Sequence, residues 1–371
     1  MPVVQGRVAL FMATLGGGGA ERVMLNLAGE FARRGFRVDL VLIKAEGPFR
    51  NQIPPGIRLV ELGTGRAYRS VPALIRYLKS EKPEVMVSAL HHPNVVAILA
   101  SLFSRAPMRL AVVVHGNIGG DQASRNSISA LLLSPLVRLT YRWADMIVAV
   151  SQGTAEDLAC FLRMPAEKIR VIVNPVLNDG ILHAGTERLD HPWFAPGQPP
   201  VIVSAGRFVP LKNFSLLIEA FSLLRARRPV RLIILGDGPL REEYLSKAKQ
   251  LGIERDVALP GFMQNPYPYY AHAALFALSS DSEALPTALI EALACGTPVI
   301  STDCPNGPRE ILENGRYGHL VARGDARAMA SAMEDVLRGN GRIPPKEILA
   351  RYTFKSVADE YIRVLFMEGM P

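Results

Sequence analysis

Cysteine is scarce: the 371 residues hold only Cys160, Cys295 and Cys304. Three thiols cannot staple a small secreted scaffold, and their spacing matches no zinc motif, so a reducing compartment is expected. No stretch approaches the ~20 apolar residues needed to span a bilayer. The opening residues MPVVQGRVALFMATLGGGG lack the basic start and long apolar run of an export signal. No D-x-D follows a strand; Asp281-Ser282-Glu283 is the nearest approach, so no metal site is expected. No lysine stands in a cofactor-attachment context, which argues against a phosphorylase. Interleaved aromatics and nucleic-acid motifs are also missing, so no nucleic-acid partner is expected. There is no short-period repeat and no low-complexity tract.

What is present suits a soluble globular chain, 49% hydrophobic and 20% charged, long enough for two ordinary domains. The charge is uneven. Residues 1–176 carry 21 Lys and Arg against 12 Asp and Glu, a net of +9, while residues 177–371 carry 21 against 22, a net of −1. The basic half admits anionic lipid or phosphorylated ligands as partners. Its densest part is residues 100–142, with Arg105, Arg109, Arg125, Arg138 and Arg142 against only Asp121. The same region holds ISALLLSPLVRLTYRW, which suits a lipid interface or, with Pro135 interrupting the helix, a domain core.

Short β-rich runs alternate with amphipathic segments. RVALFMA is followed by the helical AERVMLNLAGEFARRG, and FRVDLVLIK, EVMVSAL, LAVVVH and MIVAVS repeat the pattern. IRVIVNPV closes the first half, and a polar hinge with Pro and Gly runs over 177–200. The alternation then restarts with VIVSAG, RLIILGDGP, VALPGF, LFALSS, PVISTD and GHLVA. Two helix-wrapped parallel sheets are predicted, facing each other across a cleft: domain 1–176, domain 177–352 and a C-terminal helix over 353–371 that packs back toward the N-terminal domain. Ligands of such sheets sit beyond the carboxyl ends of the strands.

Several candidates stand there. The glycines 16–19, Gly17 and Gly18 among them, allow close backbone approach at a helix start, or form a plain tight turn. A dinucleotide site fits poorly, because Glu21 takes the last glycine position of G-x-G-x-x-G. Arg207 and Lys212 follow a strand, beside Gly206, as a diphosphate clamp or as solvated surface cations. Gly236 lies in LGDGP, where Asp237 lines the cleft or caps the next helix. Gly261 and Phe262 could let a base lie against the backbone. In SEALPTALIEAL, Glu283 precedes a helix and Glu291 lies about one and a half turns inside it. The loop Ala284-Leu285-Pro286 is expected to open toward the cleft, with Thr287 at a helix start that offers amides to an anion. The two carboxylates suit vicinal hydroxyls of a sugar nucleotide, or are a dipole partner and a solvated helix residue.

The spacing E-x7-E in EALPTALIE, the matched GR-x4-KN at 206–213, GGGGAERV, VSQG, VIVNPV and ACGTPVI together resemble the retaining glycosyltransferases of family 4, which have the GT-B fold. The resemblance spans nearly the whole chain. It implies that Glu291 binds the donor ribose, Glu283 the donor sugar, and Arg207 and Lys212 the departing diphosphate. It places Gly18 near the donor phosphates and His115, in VVVHGN, near the donor sugar. Ala284 departs from the glycine common at that position, which bears on donor choice. The implied reaction moves a hexosyl or N-acetylhexosaminyl unit from a nucleotide diphosphate sugar, UDP-linked by expectation, to a glycan or polyprenyl-diphosphate-linked acceptor. The nucleotide sugar is a substrate, so no cofactor is expected. The protein is expected to be cytoplasmic and peripheral on the membrane. A sugar-nucleotide-binding protein without activity is the rival, opposed by the intact set Glu283, Arg207 and Lys212.

Overall fold

The computed structural model describes residues 6–16, 18–65, 69–116, 128–178, 180–181 and 187–367. Gly17, Asp121 and Arg125 lie outside them. The chain divides into two compact units, Met1–Val176 with Tyr352–Pro371, and Leu177–Arg351.

The first unit is built on β1 (Arg7–Met12), β2 (Arg37–Leu42), β3 (Ile57–Glu61), β4 (Val85–Ala89), β5 (Arg109–Val114), β6 (Met146–Ala149) and β7 (Ile169–Val171). All pair in parallel, in the order β3-β2-β1-β4-β5-β6-β7. β1, β4 and β5 are buried almost throughout, as expected of strands covered on both faces. That burial is why they read as unbroken apolar runs rather than as alternation. The helix Gly19–Arg33 turns Val23, Met24, Leu27 and Phe31 inward at helical spacing. The helix Ile128–Thr140 continues through Pro135 rather than breaking there. Only the first three residues of IRVIVNPV form a strand.

The last segment returns to this unit. Thr353 caps the helix Phe354–Ile362 by accepting from the Ser356 amide at 3.2 Å. Arg34 pairs with Asp359 and donates to the Lys355 carbonyl at 2.9 Å. The Tyr352 carbonyl accepts from the Val176 amide at 2.9 Å. Phe36 and Phe366 stack their rings at 5.2 Å. Arg109 donates to the Leu365 carbonyl at 3.0 Å. Arg109 is therefore a structural tie rather than part of a free basic face.

The second unit holds β8 (Val201–Ala205), β9 (Arg231–Leu235), β10 (Val257–Gly261), β11 (Leu275–Leu278), β12 (Val299–Thr302) and β13 (His319–Val321), ordered β10-β9-β8-β11-β12-β13 and parallel throughout. Its core gathers Phe208, Phe214 and Tyr244 edge to face at 5.4 to 5.7 Å. Strand order reverses between β8 and β11. That reversal opens a crevice at the carboxyl ends, the position such sheets use for ligands.

Candidate active site

The loops after β8 and β11 flank the reversal, and polar bonds clip them together. Asn213 adopts a left-handed backbone, φ 44°. Its side chain accepts from the Leu216 amide at 3.2 Å, capping the helix Phe214–Arg225. Asn213 Nδ2 donates to both oxygens of Asp281, at 3.0 and 3.2 Å. The Asp281 amide donates to the Leu211 carbonyl at 2.9 Å, and Ser279 Oγ to the Lys212 carbonyl at 2.9 Å. The clip fixes Lys212 opposite Glu283.

Lys212 runs its aliphatic stem over Gly206; a Cβ there would sit 3.4 Å from the stem's Cδ and Cε. Its Nζ donates to Glu283 Oε1 at 2.5 Å. Ser280 Oγ donates to the same oxygen at 2.6 Å, and Ser280 is itself held where its carbonyl accepts from Thr302 Oγ1 at 2.5 Å. No donor among the described residues reaches Oε2, which leaves that oxygen for a ligand hydroxyl. The pair is only partly exposed, 23% for Lys212 and 10% for Glu283, so water screens it weakly. An ammonium retains two further N–H donors after this bond, and a phosphate oxygen suits them. Arg207 is exposed, and no carboxylate among the described residues pairs with it. A guanidinium in that condition keeps its fork for an incoming anion.

Three glycines line the neighbouring strand ends. The Gly206 amide donates to the Leu235 carbonyl at 2.9 Å and the Gly236 amide to the Gly261 carbonyl at 2.8 Å, so the loops after β8, β9 and β10 are stitched in series. Gly236 has φ +132°, and a Cβ on it would lie 1.9 Å from the Gly206 carbonyl oxygen. Asp237 caps no helix; its Oδ1 accepts from the Gly238 amide at 2.8 Å. Phe262 is exposed after β10.

Glu283 also bridges to Asn306 as an isolated parallel β pair. The expected open loop is closed: Ala284, Leu285 and Pro286 are buried. Gly307 presses on them from outside, and a Cβ there would come within 2.6 Å of Pro286 Cδ and 2.8 Å of the Ala284 carbonyl oxygen. These residues therefore offer backbone rather than side chains. The helix Thr287–Ala294 starts at Pro286 with no side-chain cap, which leaves first-turn amides for an anion. Glu291 stands within this helix, half-buried; burial and its charge push the neighbouring Cys295 thiol up to about 12. Ser280 escapes a reading of the sequence, and the contacts of Asn213, Asp281 and Asn306 escape it too, although Asn213 stands in the GR-x4-KN motif and Asp281 in the nearest approach to D-x-D. For Ser280 the one signal is position, just after a strand.

The first unit has its own reversal between β1 and β4. Gly18 begins the helix after β1 without a side-chain cap, but the Glu21 carboxylate folds over it; a Cβ on Gly18 would lie 2.6 Å from Glu21 Oε2. An anionic ligand arriving there meets that charge. His115 follows β5. Burial, with the nearby His91, lowers its pKa to about 4, against an opposing hydrogen bond from Asn174. Both ring nitrogens are shielded from solvent, and among the described residues Asn174 approaches the ring without meeting the stricter hydrogen-bond geometry.

Two family models cover most of the chain: Glycosyltransferase Family 4 over residues 17–177 and Glycosyl transferases group 1 over residues 186–355. The chain is 29% identical to the N-acetylgalactosamine-N,N'-diacetylbacillosaminyl-diphospho-undecaprenol 4-alpha-N-acetylgalactosaminyltransferase of Campylobacter jejuni, over 89% of this chain and 90% of that one. It is 29% identical to the lipopolysaccharide core biosynthesis glycosyltransferase LpsE of Rhizobium meliloti, over 94% and 96%. Among solved structures, Anabaena Alr3699/HepE in complex with UDP and glucose superposes with a TM-score of 0.76 at 19% identity, covering 98% of this chain and all of that one. The two-sheet architecture, the paired models and these relatives agree: the chain belongs to the family 4 glycosyltransferases of GT-B fold.

Proposed function

We propose that this glycosyltransferase moves a hexosyl or N-acetylhexosaminyl unit, with retention, from a UDP-linked sugar to a hydroxyl of a lipid-linked or polysaccharide acceptor. One observation carries the reading: a half-buried Glu283 held by Lys212 and Ser280 at the reversal of the second sheet, beside an uncapped helix start. Lys212 and Arg207 neutralise the diphosphate as its bond to the sugar lengthens. Fixed cations aimed at developing charge are among the largest contributions an enzyme can make. Glu283, already engaged by two donors, positions the sugar through its remaining oxygen. Glu291 takes the ribose hydroxyls, for which a carboxylate is a strong bidentate acceptor. The incoming hydroxyl attacks from the face the diphosphate leaves, passing its proton to a phosphate oxygen. The bound UDP and glucose of Alr3699/HepE and the diphospho-undecaprenol in the C. jejuni relative's name support the choice of donor and acceptor classes.

With two side-chain cations on the leaving group, a divalent ion is redundant. Transfer from a UDP-hexose, followed by proton NMR of the product's anomeric signal, is expected to show the donor's configuration and an unchanged rate in EDTA. An inverted product would refute retention, and EDTA inactivation rescued by Mn²⁺ would refute metal independence.

The proposal includes docking on an anionic membrane surface. Leu102 and Phe103 end the helix His91–Ser104, Leu136 and Leu139 lie on the helix packed beside it, and Trp143 follows; each is an exposed large hydrophobic, Phe103 at 68%. Arg105 and Arg142 are exposed beside them. Each basic residue near anionic lipid contributes about 1 kcal/mol. Among the described residues no helix is long and apolar enough to cross a membrane. Co-sedimentation is expected with vesicles rich in phosphatidylglycerol, weakening with salt and on Phe103→Ser with Trp143→Ser. Equal partitioning onto neutral vesicles, insensitive to salt, would sink the docking.

A further inference from the structure

The helix Gly19–Arg33 and its cap carry three arginines, and they are not alike. Arg33 and Arg34 both close on the buried Glu30, and Arg34 pairs with Asp359 as well. Arg22 has no carboxylate partner among the described residues. Its guanidinium lies instead over the ring of Phe49, 4.5 Å from the centroid. Glu21 does not serve it. Successive helix residues face apart, and the Glu21 carboxylate is turned onto the glycine loop, 3.6 Å from where a Cβ on Gly16 would lie and 2.6 Å from one on Gly18.

The seat beneath Arg22 is rigid. Phe49 is buried, in the segment after β2, and that segment is laced to the loop after β1. The Lys44 amide donates to the Ala13 carbonyl at 3.0 Å and the Leu15 amide to the Glu46 carbonyl at 2.9 Å. Gly47 has φ +119°, and a Cβ on it would fall 2.1 Å from the Leu15 carbonyl oxygen, so the two loops touch backbone to backbone. The acids nearby are occupied: Glu46 pairs with Lys44, and Glu61 Oε1 accepts from the Ala45 amide at 3.0 Å. Arg50, next after Phe49, is exposed and also has no carboxylate partner among the described residues. A solvated cation needs no ring beneath it. A guanidinium stacked on a fixed ring keeps its in-plane N–H donors ready for an anion. These loops lie at the carboxyl ends of β1 and β2, beside the reversal of the first sheet.

We propose that Arg22 anchors a phosphoryl group of the acceptor, so that of the two acceptor classes above the substrate is the lipid-linked one, joined to its lipid through a diphosphate. The assignment rests on the transferase reading and narrows it. Arg22 gives one phosphate two parallel N–H bonds, and Arg50 adds positive charge to the same segment. A polysaccharide offers hydroxyls, which leave a guanidinium's charge unanswered. The donor's diphosphate has its own cations, Lys212 and Arg207, in the second unit. Glu21 repels an anion from the glycine loop itself, so the phosphate settles on the Arg22 side.

Farnesyl diphosphate is the probe, titrated calorimetrically into the full-length protein without vesicles, with farnesol and a short-chain phosphatidylglycerol as comparisons. Wild type is expected to bind farnesyl diphosphate and to bind farnesol and the phosphatidylglycerol at least about tenfold more weakly. Arg22→Gln should weaken the diphosphate about 10- to 100-fold, as loss of a charged hydrogen-bonding group does. Arg22→Lys keeps the charge without the fork and should fall between. Lys212→Met should bind it as wild type does. Melting curves confirm that each variant is folded, and the Arg22 substitution on this half-buried surface should leave Tm within about 2 °C. Four results would overturn the subsite: no binding by wild type, equal binding of farnesol, equal binding of the phosphatidylglycerol, or a loss confined to Lys212→Met, which would put the diphosphate in the donor site. The transferase reading fails separately. Loss of farnesyl diphosphate binding in Arg22→Gln, with no transfer by wild type from any nucleotide sugar, would leave an anion site and no transferase.

Discussion

Lys212→Met is expected to lower kcat about 10²- to 10³-fold, the usual effect of removing one preorganised donor from a developing anion. The substitution is chosen for its shape. Methionine keeps an apolar stem to lie over Gly206 and removes only the charge. It also leaves Glu283, 10% exposed, with Ser280 as its remaining donor, which costs stability by about 1–3 kcal/mol. The two effects are separable. Circular dichroism melts report the second, and single-turnover rates at saturating donor report the first. Lys212→Arg restores the charge but not the point geometry, so it should recover stability better than rate. A kcat within threefold of wild type in Lys212→Met would remove Lys212 from the leaving-group site.

Gly236→Ala is expected to damage the second unit more than any other glycine change around the site. Its Cβ would fall 1.9 Å from the Gly206 carbonyl oxygen, a backbone atom that cannot rotate away. Relief requires the ends of β8 and β9 to part, breaking the Gly206–Leu235 bond. Left-handed strain adds about 1–3 kcal/mol and overpacking a similar amount. The total, about 3 kcal/mol or more, corresponds to a fall in Tm of roughly 6–12 °C for a unit of this size. Gly261→Ala is the control. Its φ is +99°, yet no atom lies within 4 Å of the added Cβ, so it suffers strain without collision. Differential scanning calorimetry should place Gly236→Ala well below Gly261→Ala. Equal melting temperatures would mean that the strand ends are looser than the close approach implies.

Much of this was legible in the sequence, for identifiable reasons. Doubly covered strands produce unbroken apolar runs, so VIVSA, RLIIL and LAVVV announced themselves. Placement after strands singled out Arg207, Lys212 and Glu283. Their direct contact was not legible, because 71 residues separate Lys212 from Glu283 and only the strand order brings β8 beside β11. Ser280 and the Asn213–Asp281 clip stayed hidden for the same reason. The burial of Ala284, Leu285 and Pro286 depends on Gly307, whose missing side chain is informative only once the two loops are seen to touch. Arg109 was misread in the other direction. Its charge was visible, but its carbonyl partner, Leu365, lies at the far end of the chain.

The proposed transfer requires a nucleoside diphosphate bound by the second unit, and ligand-induced stabilisation tests that most directly. UDP, GDP and ADP are each added to wild type, Glu291→Ala and Lys212→Met while melting is followed. A ligand at 100 times its Kd stabilises by about 2.7 kcal/mol, enough to move a transition by several degrees. One diphosphate, expected to be UDP, should raise the wild-type Tm. The rise should largely vanish in Glu291→Ala, which loses the ribose contact, and shrink in Lys212→Met, which loses a phosphate contact. A UDP-induced rise of equal size in all three proteins, or none with any diphosphate, would contradict the account.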